Sequence, residues 1–204
     1  MSSHPSVDVG RTEPVPRAAI PGEKRYQELW LALASRPWRS LVLVPADPAG
    51  SAVEIARSFA DVGNQLSDVP VTAVTVTSLE YGSALALVDL QQRVVRGERD
   101  TLAAAAARRT PLVEVTATAV EDLEPAPDVS IPRAHGGESL ARTPAARLVI
   151  AIPAVCAEPL GLAVAKQADL VVLCVERARS RLSDVRRSAD LIGRERMAGC
   201  FLVR

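Results

Sequence analysis

Leu41-Val-Leu-Val-Pro-Ala-Asp-Pro-Ala-Gly-Ser-Ala-Val-Glu-Ile-Ala-Arg-Ser-Phe-Ala60 is the stretch on which the fold of this 204-residue chain turns. Leu41 to Val44 are apolar without interruption, as suits a strand covered on both faces. Pro45, Pro48 and Gly50 punctuate a turn, and Ser51 is placed to cap a following helix. Ala52, Ile55, Ala56, Phe59 and Ala60 then recur at helical spacing and form one apolar stripe. Strand, tight turn and helix N-terminus in that order make the backbone geometry that cradles phosphate. The chemistry of a nucleotide site is missing from it. A Lys for the β/γ-phosphates and a hydroxyl for Mg²⁺ would fall among Ala52, Val53 and Glu54, and the chain's lysines, Lys24 and Lys166, lie elsewhere. Pro45, Asp47, Pro48, Ala49, Gly50, Ser51, Ala52 and Val53 therefore read as a vestigial loop, with no cofactor and no metal expected.

Working outward, the pattern is one of alternating strands and helices. Upstream, Tyr26, Leu29, Trp30 and Leu33 recur at i, i+3, i+4 and i+7, predicting a helix over 22–35 that Pro37 stops. Downstream, Gly63-Asn64 is placed to end the helix begun after Ser51. Val71 to Thr77 alternates and is β-branched, a strand; residues 83–108 are helical in composition with a break at Gly97; Leu112 to Thr116 is a further strand. Residues 118–146 read as a loop with one short helix near Glu138 to Arg142. Leu148 to Ile152, Asp169 to Val175 and Cys200 to Val203 are apolar strands, separated by helices at Pro159 to Gln167 and Arg181 to Ile192. Six strands, several apolar throughout, predict an α/β fold: a three-layer α/β/α sandwich with a mostly parallel sheet. One such domain spans 22–204, preceded by a Pro-rich arm over 1–21 (Pro5, Pro14, Pro16, Pro21) that reads as flexible.

Composition limits the function classes. The formal net charge is zero, so no bulk attraction to nucleic acid is implied. No apolar run reaches transmembrane length, and Met1 to Pro21 has neither the basic start nor the apolar core of a secretory signal. Cys156, Cys174 and Cys200 form no C-x-x-C pair; Cys174 and Cys200 sit in apolar runs and are expected as buried free thiols, which suits a reducing cytoplasm.

The ordered segments resemble the P-loop ATPases of the MinD/ParA type, and most nearly the cytoplasmic tyrosine-autokinase (BY-kinase) domains of bacterial exopolysaccharide export. The resemblance runs from about residue 22 to the end. It rests on Leu148-Val-Ile-Ala-Ile-Pro-Ala154, Ala168-Asp-Leu-Val-Val-Leu-Cys-Val175, Arg179-Ser-Arg-Leu-Ser-Asp-Val-Arg-Arg187 and Gly199-Cys-Phe-Leu-Val-Arg204, with Arg93-Val-Val-Arg-Gly97 and Thr101-Leu-Ala-Ala-Ala105 in support. It implies a P-loop NTPase-like fold whose catalytic motifs are lost. The family's metal-shell Asp falls on Ala151; its second acidic motif, near Thr75 to Ser78, has only Glu80 nearby; its base-seating Asn falls on Val203. Its arginine-bearing self-assembly motif on the first helix corresponds to Lys24, Gln27 and Trp30, and its tyrosine-rich substrate tail has no counterpart, the tyrosines being Tyr26 and Tyr81. Phosphoryl transfer is almost wholly electrostatic positioning of phosphates and Mg²⁺, so joint loss of these groups removes the route to catalysis.

The resemblance thus implies a non-enzymatic, cytoplasmic protein, held at the inner face of the membrane by a chain-length regulator (a polysaccharide co-polymerase), with no nucleic-acid partner and with homo-oligomer formation left open. Tyr26, Trp30, Arg179, Arg181, Arg186 and Arg187 are the candidate interaction residues, although the Trp30 stripe reads first as core. The alternatives are an ATPase or kinase that uses an arginine in place of the missing Lys, and a MinD/ParA-like positioning protein. His4 and His135 lie in separate loops without metal-ligand spacing, Ser51 lacks a nucleophile-elbow context, and Glu121, Asp122 and Glu124 read as a solvated loop.

Overall fold

Each expected apolar run becomes a strand, and the covered ones lie at the centre of the sheet. The structure, a computed structural model, describes residues 23–96, 113–116 and 146–203. Its strands are β1 (Ser40–Pro45), β2 (Val71–Val76), β3 (Val113–Thr116), β4 (Arg147–Ala151), β5 (Leu170–Glu176) and β6 (Met197–Val203). The helices are α1 (Glu23–Ala34), α2 (Val53–Leu66), α3 (Tyr81–Arg96), α4 (Gly161–Gln167) and α5 (Leu182–Ile192). The sheet runs β3-β2-β4-β1-β5-β6; β3 is antiparallel to β2, and all other neighbours are parallel. Every residue of β1 and β2 is buried, the β2 threonines Thr72 and Thr75 included. The arm over 1–21, the helical stretch beyond Arg96 and the short helix near Glu138 to Arg142 fall outside the described residues.

Successive side chains of a strand point to opposite faces, so β1, β2, β4 and β5 each feed two cores. Leu41, Leu43, Val149, Ala151, Val172 and Cys174 meet α1 and α2 on one face. Val42, Val44, Leu148, Ile150, Val171 and Leu173 meet α3, α4 and α5 on the other. The result is a three-layer α/β/α fold with a mostly parallel sheet. Among the described residues no helix is long and apolar enough to cross a membrane.

The first face holds the aromatic core. Trp30 is 4% exposed and meets Trp38 edge-on at 5.7 Å and Phe59 at 5.4 Å between ring centroids. The Arg147 guanidinium, its pKa lowered by burial, lies over both indoles, at 5.1 Å from Trp30 and 4.8 Å from Trp38. Trp30 is therefore core and offers no surface to a partner, whereas Tyr26 is half-buried with its ring 5.5 Å from Phe201. The same packing corrects the expected end of α2. The helix continues through Gly63-Asn64 to Leu66, because a Cβ at Gly63 would stand 2.5 Å from the Trp30 ring: the glycine makes room for the indole. Asn64 instead ties the helix to β2, donating to the Val71 carbonyl at 2.9 Å and accepting the Val71 N–H at 2.7 Å. A second correction concerns Cys200. It is exposed, at β6 on the sheet's edge; Cys174, one strand inward, is buried as expected.

The amino-terminal ends of β1 and β5 are locked together. Asp169 Oδ2 accepts the N–H groups of Arg39 at 2.8 Å and Ser40 at 2.9 Å. Ser40 Oγ in turn accepts the Asp169 N–H at 3.0 Å. Ladder polarity leaves the carboxyl-terminal ends of the same strands free for loops.

Candidate functional site

β1 sends its helix to one face of the sheet, while its neighbours β4 and β5 send theirs to the other. Such a switch opens a crevice at the carboxyl ends of the strands, the usual ligand position of parallel α/β sheets. Three segments form its rim: residues 45–53 after β1, 152–160 after β4 and 177–181 after β5.

The first segment folds as its residues dictate. Asp-Pro-Ala-Gly carries Asp at i, Pro at i+1 and Gly at i+3, the pattern of a type I turn, and the Gly50 N–H donates to the Asp47 carbonyl at 2.9 Å. A Cβ at Gly50 would stand 3.1 Å from both the Asp47 carbonyl oxygen and the Pro45 side chain, so the turn is tight. Ala46 stays on the sheet through its N–H to the Cys174 carbonyl at 2.8 Å. Ser51 does not cap α2. The cap position falls to Ala52, whose carbonyl accepts the Ala56 N–H at 2.9 Å, while Ser51 Oγ accepts the Val53 N–H at 3.3 Å. The turn closes one residue later than the Ser-first pattern requires, and it draws Ala52 into the core.

The loop's own carboxylate faces its donors. Asp47 Oδ1 accepts the Ala49 N–H at 2.8 Å, and Oδ2 lies 4.0 Å from Arg179 Nε. Arg179 also pairs with Glu176 at 3.1 Å, so one guanidinium spans two carboxylates at the mouth. It is carried there by a tight turn in which Ala178 takes a positive φ of 69°, at a cost of about 1 kcal/mol. Ser180 holds that turn, its Oγ accepting the Glu176 N–H at 2.9 Å. Glu54 points away along α2 to Arg57 at 2.8 Å.

Ala151 and Ala52 are buried in the α1/α2-side core, and Val53 is half-buried. Val203 packs against that same core, and Glu80 is exposed, its N–H bonded to Ser83 Oγ at 2.9 Å. The structure brings Asp47 and Arg179 together, and leaves Arg181, Arg186 and Arg187 exposed along α5 and the turn before it. Reasoning from sequence missed Glu158. Its Oε2 accepts the Leu79 N–H at 2.7 Å and so pins the segment after β2 to the loop after β4; a lone acid in a run of small residues was the available signal. Cys156 Sγ lies 3.2 Å from Ser188 Oγ. Beneath the loop, burial and the neighbouring Cys200 push the Cys174 thiol up to about 12, which makes it inert as a nucleophile. Among the described residues no group of three or more His, Cys, Asp or Glu is placed to hold a metal.

A separate hollow of about 390 Å³ lies at the opposite end of the sheet, lined by Gln91, Gln92, Val95, Arg96, Gln167 and Asp169. No family model, no curated protein and no solved structure matches the chain.

Proposed function

We propose that this chain is a non-catalytic, P-loop-like component of bacterial exopolysaccharide synthesis and export, docking on the cytoplasmic segments of a membrane chain-length regulator. The observation that carries the non-catalytic half is Asp47. Its carboxylate takes an N–H of the turn and faces Arg179, so the loop supplies an internal anion where a phosphate would bind. An incoming triphosphate would meet the negative charges of Asp47 and Glu176, with Ala52, Val53 and Ala151 where the cation, hydroxyl and metal-shell carboxylate are needed. Each such group is worth about 10²–10³ in rate, and phosphoryl transfer has little else to draw on. The export half rests on the resemblance of segments 148–154, 168–175 and 179–187 to autokinase domains.

Isothermal titration with Mg-ATP and with Mg-ADP tests the first half, and co-purification with a two-helix membrane co-polymerase tests the second. No binding heat at millimolar nucleotide is expected, and installing Ala52→Lys with Val53→Thr should not restore hydrolysis, since Ala151 still lacks a carboxylate. Saturable Mg-ATP binding, lost on a bulky change at Gly50, would overturn the reading. Arg179 favours a second reading, in which its guanidinium replaces the missing lysine. In that case nucleotide binding would be present and would vanish in Arg179→Ala.

A further inference from the structure

Residues 177–194, the turn after β5 together with α5, contain six arginines and two aspartates, a net charge of four positive. The whole chain is neutral, so the remainder carries four negative charges and the molecule is polarised toward this one segment. Arg179 is held by Glu176 and Asp47, and Arg194 by Asp190 at 3.6 Å. Arg177, Arg181, Arg186 and Arg187 are all exposed, and none has a carboxylate partner among the described residues. Apolar side chains stand among them. Leu182, 63% exposed, follows Arg181 and lies one helical turn from Arg186. The Arg177 N–H donates to the Val203 carbonyl at 2.9 Å, which sets Arg177 beside the end of β6, where Leu202 is 61% exposed.

We infer that α5, the turn before it and the end of β6 form a surface that binds anionic lipid headgroups directly. Three features favour a membrane over an acidic protein segment. The cations are spread along the outside of a helix and its preceding turn, a shape that meets a plane of phosphates. All of them are arginines, whose planar guanidinium takes phosphate oxygens two at a time and is more weakly hydrated than an ammonium. Leu182 and Leu202 are exposed on the same segment and at the end of β6 beside it, where they can enter the boundary between headgroups and acyl chains. Charge separation orients the molecule in the same sense, turning its acidic remainder toward water. This contact goes beyond docking on a membrane protein, which needs no lipid at all.

The test is flotation of the full chain with protein-free vesicles, either phosphatidylcholine alone or phosphatidylcholine mixed with phosphatidylglycerol. Binding to the mixed vesicles only, released by high salt, is expected. Each arginine near such a surface is worth roughly five-fold in partitioning, so Arg186→Gln combined with Arg187→Gln should lower binding about 25-fold. Leu182→Ser should lower it further, whereas Arg57→Gln, on the far face of the sheet, should leave it unchanged. Thermal midpoints of the exposed-site variants should match the parent. Equal binding to neutral vesicles, an equal loss in Arg57→Gln, or capture by an acidic peptide with no vesicle binding would overturn the inference. Because the vesicles hold no protein, these outcomes are independent of whether a co-polymerase is the partner.

Discussion

The two ends of the sheet are built in opposite ways. At the amino-terminal end, Asp169 and Ser40 tie β1 to β5 by reciprocal hydrogen bonds, and Arg147 lies over two buried tryptophans. At the carboxyl-terminal end, the rim is a four-residue turn, a strained alanine and the Asp47–Arg179–Glu176 pairs at the water boundary. Buried packing and hydrogen bonds contribute kilocalories, whereas exposed ion pairs contribute about 0–1 kcal/mol. The aromatic core and the Asp169–Ser40 bonds therefore contribute more to stability than the ion pairs of the rim do.

The largest expected effect tests the strong end. Trp30→Ala removes the indole that meets Trp38, Phe59 and Arg147, and should cost about 3–5 kcal/mol in urea denaturation. Light scattering should show the same oligomeric state as the parent, since the indole is internal. Next in size, Asp169→Ala strands the N–H groups of Arg39 and Ser40 and should cost about 1–3 kcal/mol. A loss for Asp169→Ala no larger than for a change at Arg179 would break the contrast between the ends.

Much of this architecture was legible in the sequence. The uninterrupted apolar runs at 41–44, 148–152 and 170–175 mark strands covered on both faces, and the two-residue period of 71–76 marks a further one. What stayed hidden depends on neighbours that are distant in the chain. Gly63 reads as a helix end until Trp30 is placed against it, and Cys200 reads as buried until β6 is found at the edge. Likewise Ala52, Val53 and Ala151 are visible in the sequence, but the turning of Asp47 into its own loop, with Arg179 facing it, requires the turn after β5.

Cys174 sharpens the comparison, because it lies buried beneath the weak end, paired in register with Pro45. Its thiol, normally near 9.0, is pushed up to about 12 in the folded chain, first by burial and then by Cys200. The unfolded thiol ionises at lower pH than the folded one, so the folded state binds more protons above pH 9 and stability falls as pH rises through that window. The loss attributable to this group should be on the order of 1 kcal/mol by pH 10 and be absent in Cys174→Val. An identical alkaline slope in parent and variant would show that water reaches the underside of the loop. A thiol reagent should label Cys200 first, and Cys174 only on unfolding.

The smallest expected effect lies at the loop mouth. Arg179→Ala removes one partner from Asp47 and Glu176, but both carboxylates border water and Asp47 keeps its bond to the Ala49 N–H. The exposed guanidinium gains little in a high dielectric and is screened by salt, so the expected change is about 0.5 kcal/mol or less. Alanine also fits the turn as well as arginine does, since the positive φ belongs to Ala178. The informative comparison is therefore Ala178→Gly, which relieves the left-handed strain without touching a charge. If that change stabilises the chain while Arg179→Ala is neutral, the rim is held by backbone geometry rather than by its ion pairs. A loss of several kcal/mol in Arg179→Ala would instead make the Asp47–Arg179 contact a structural clasp, and the contrast between the two ends of the sheet would fail.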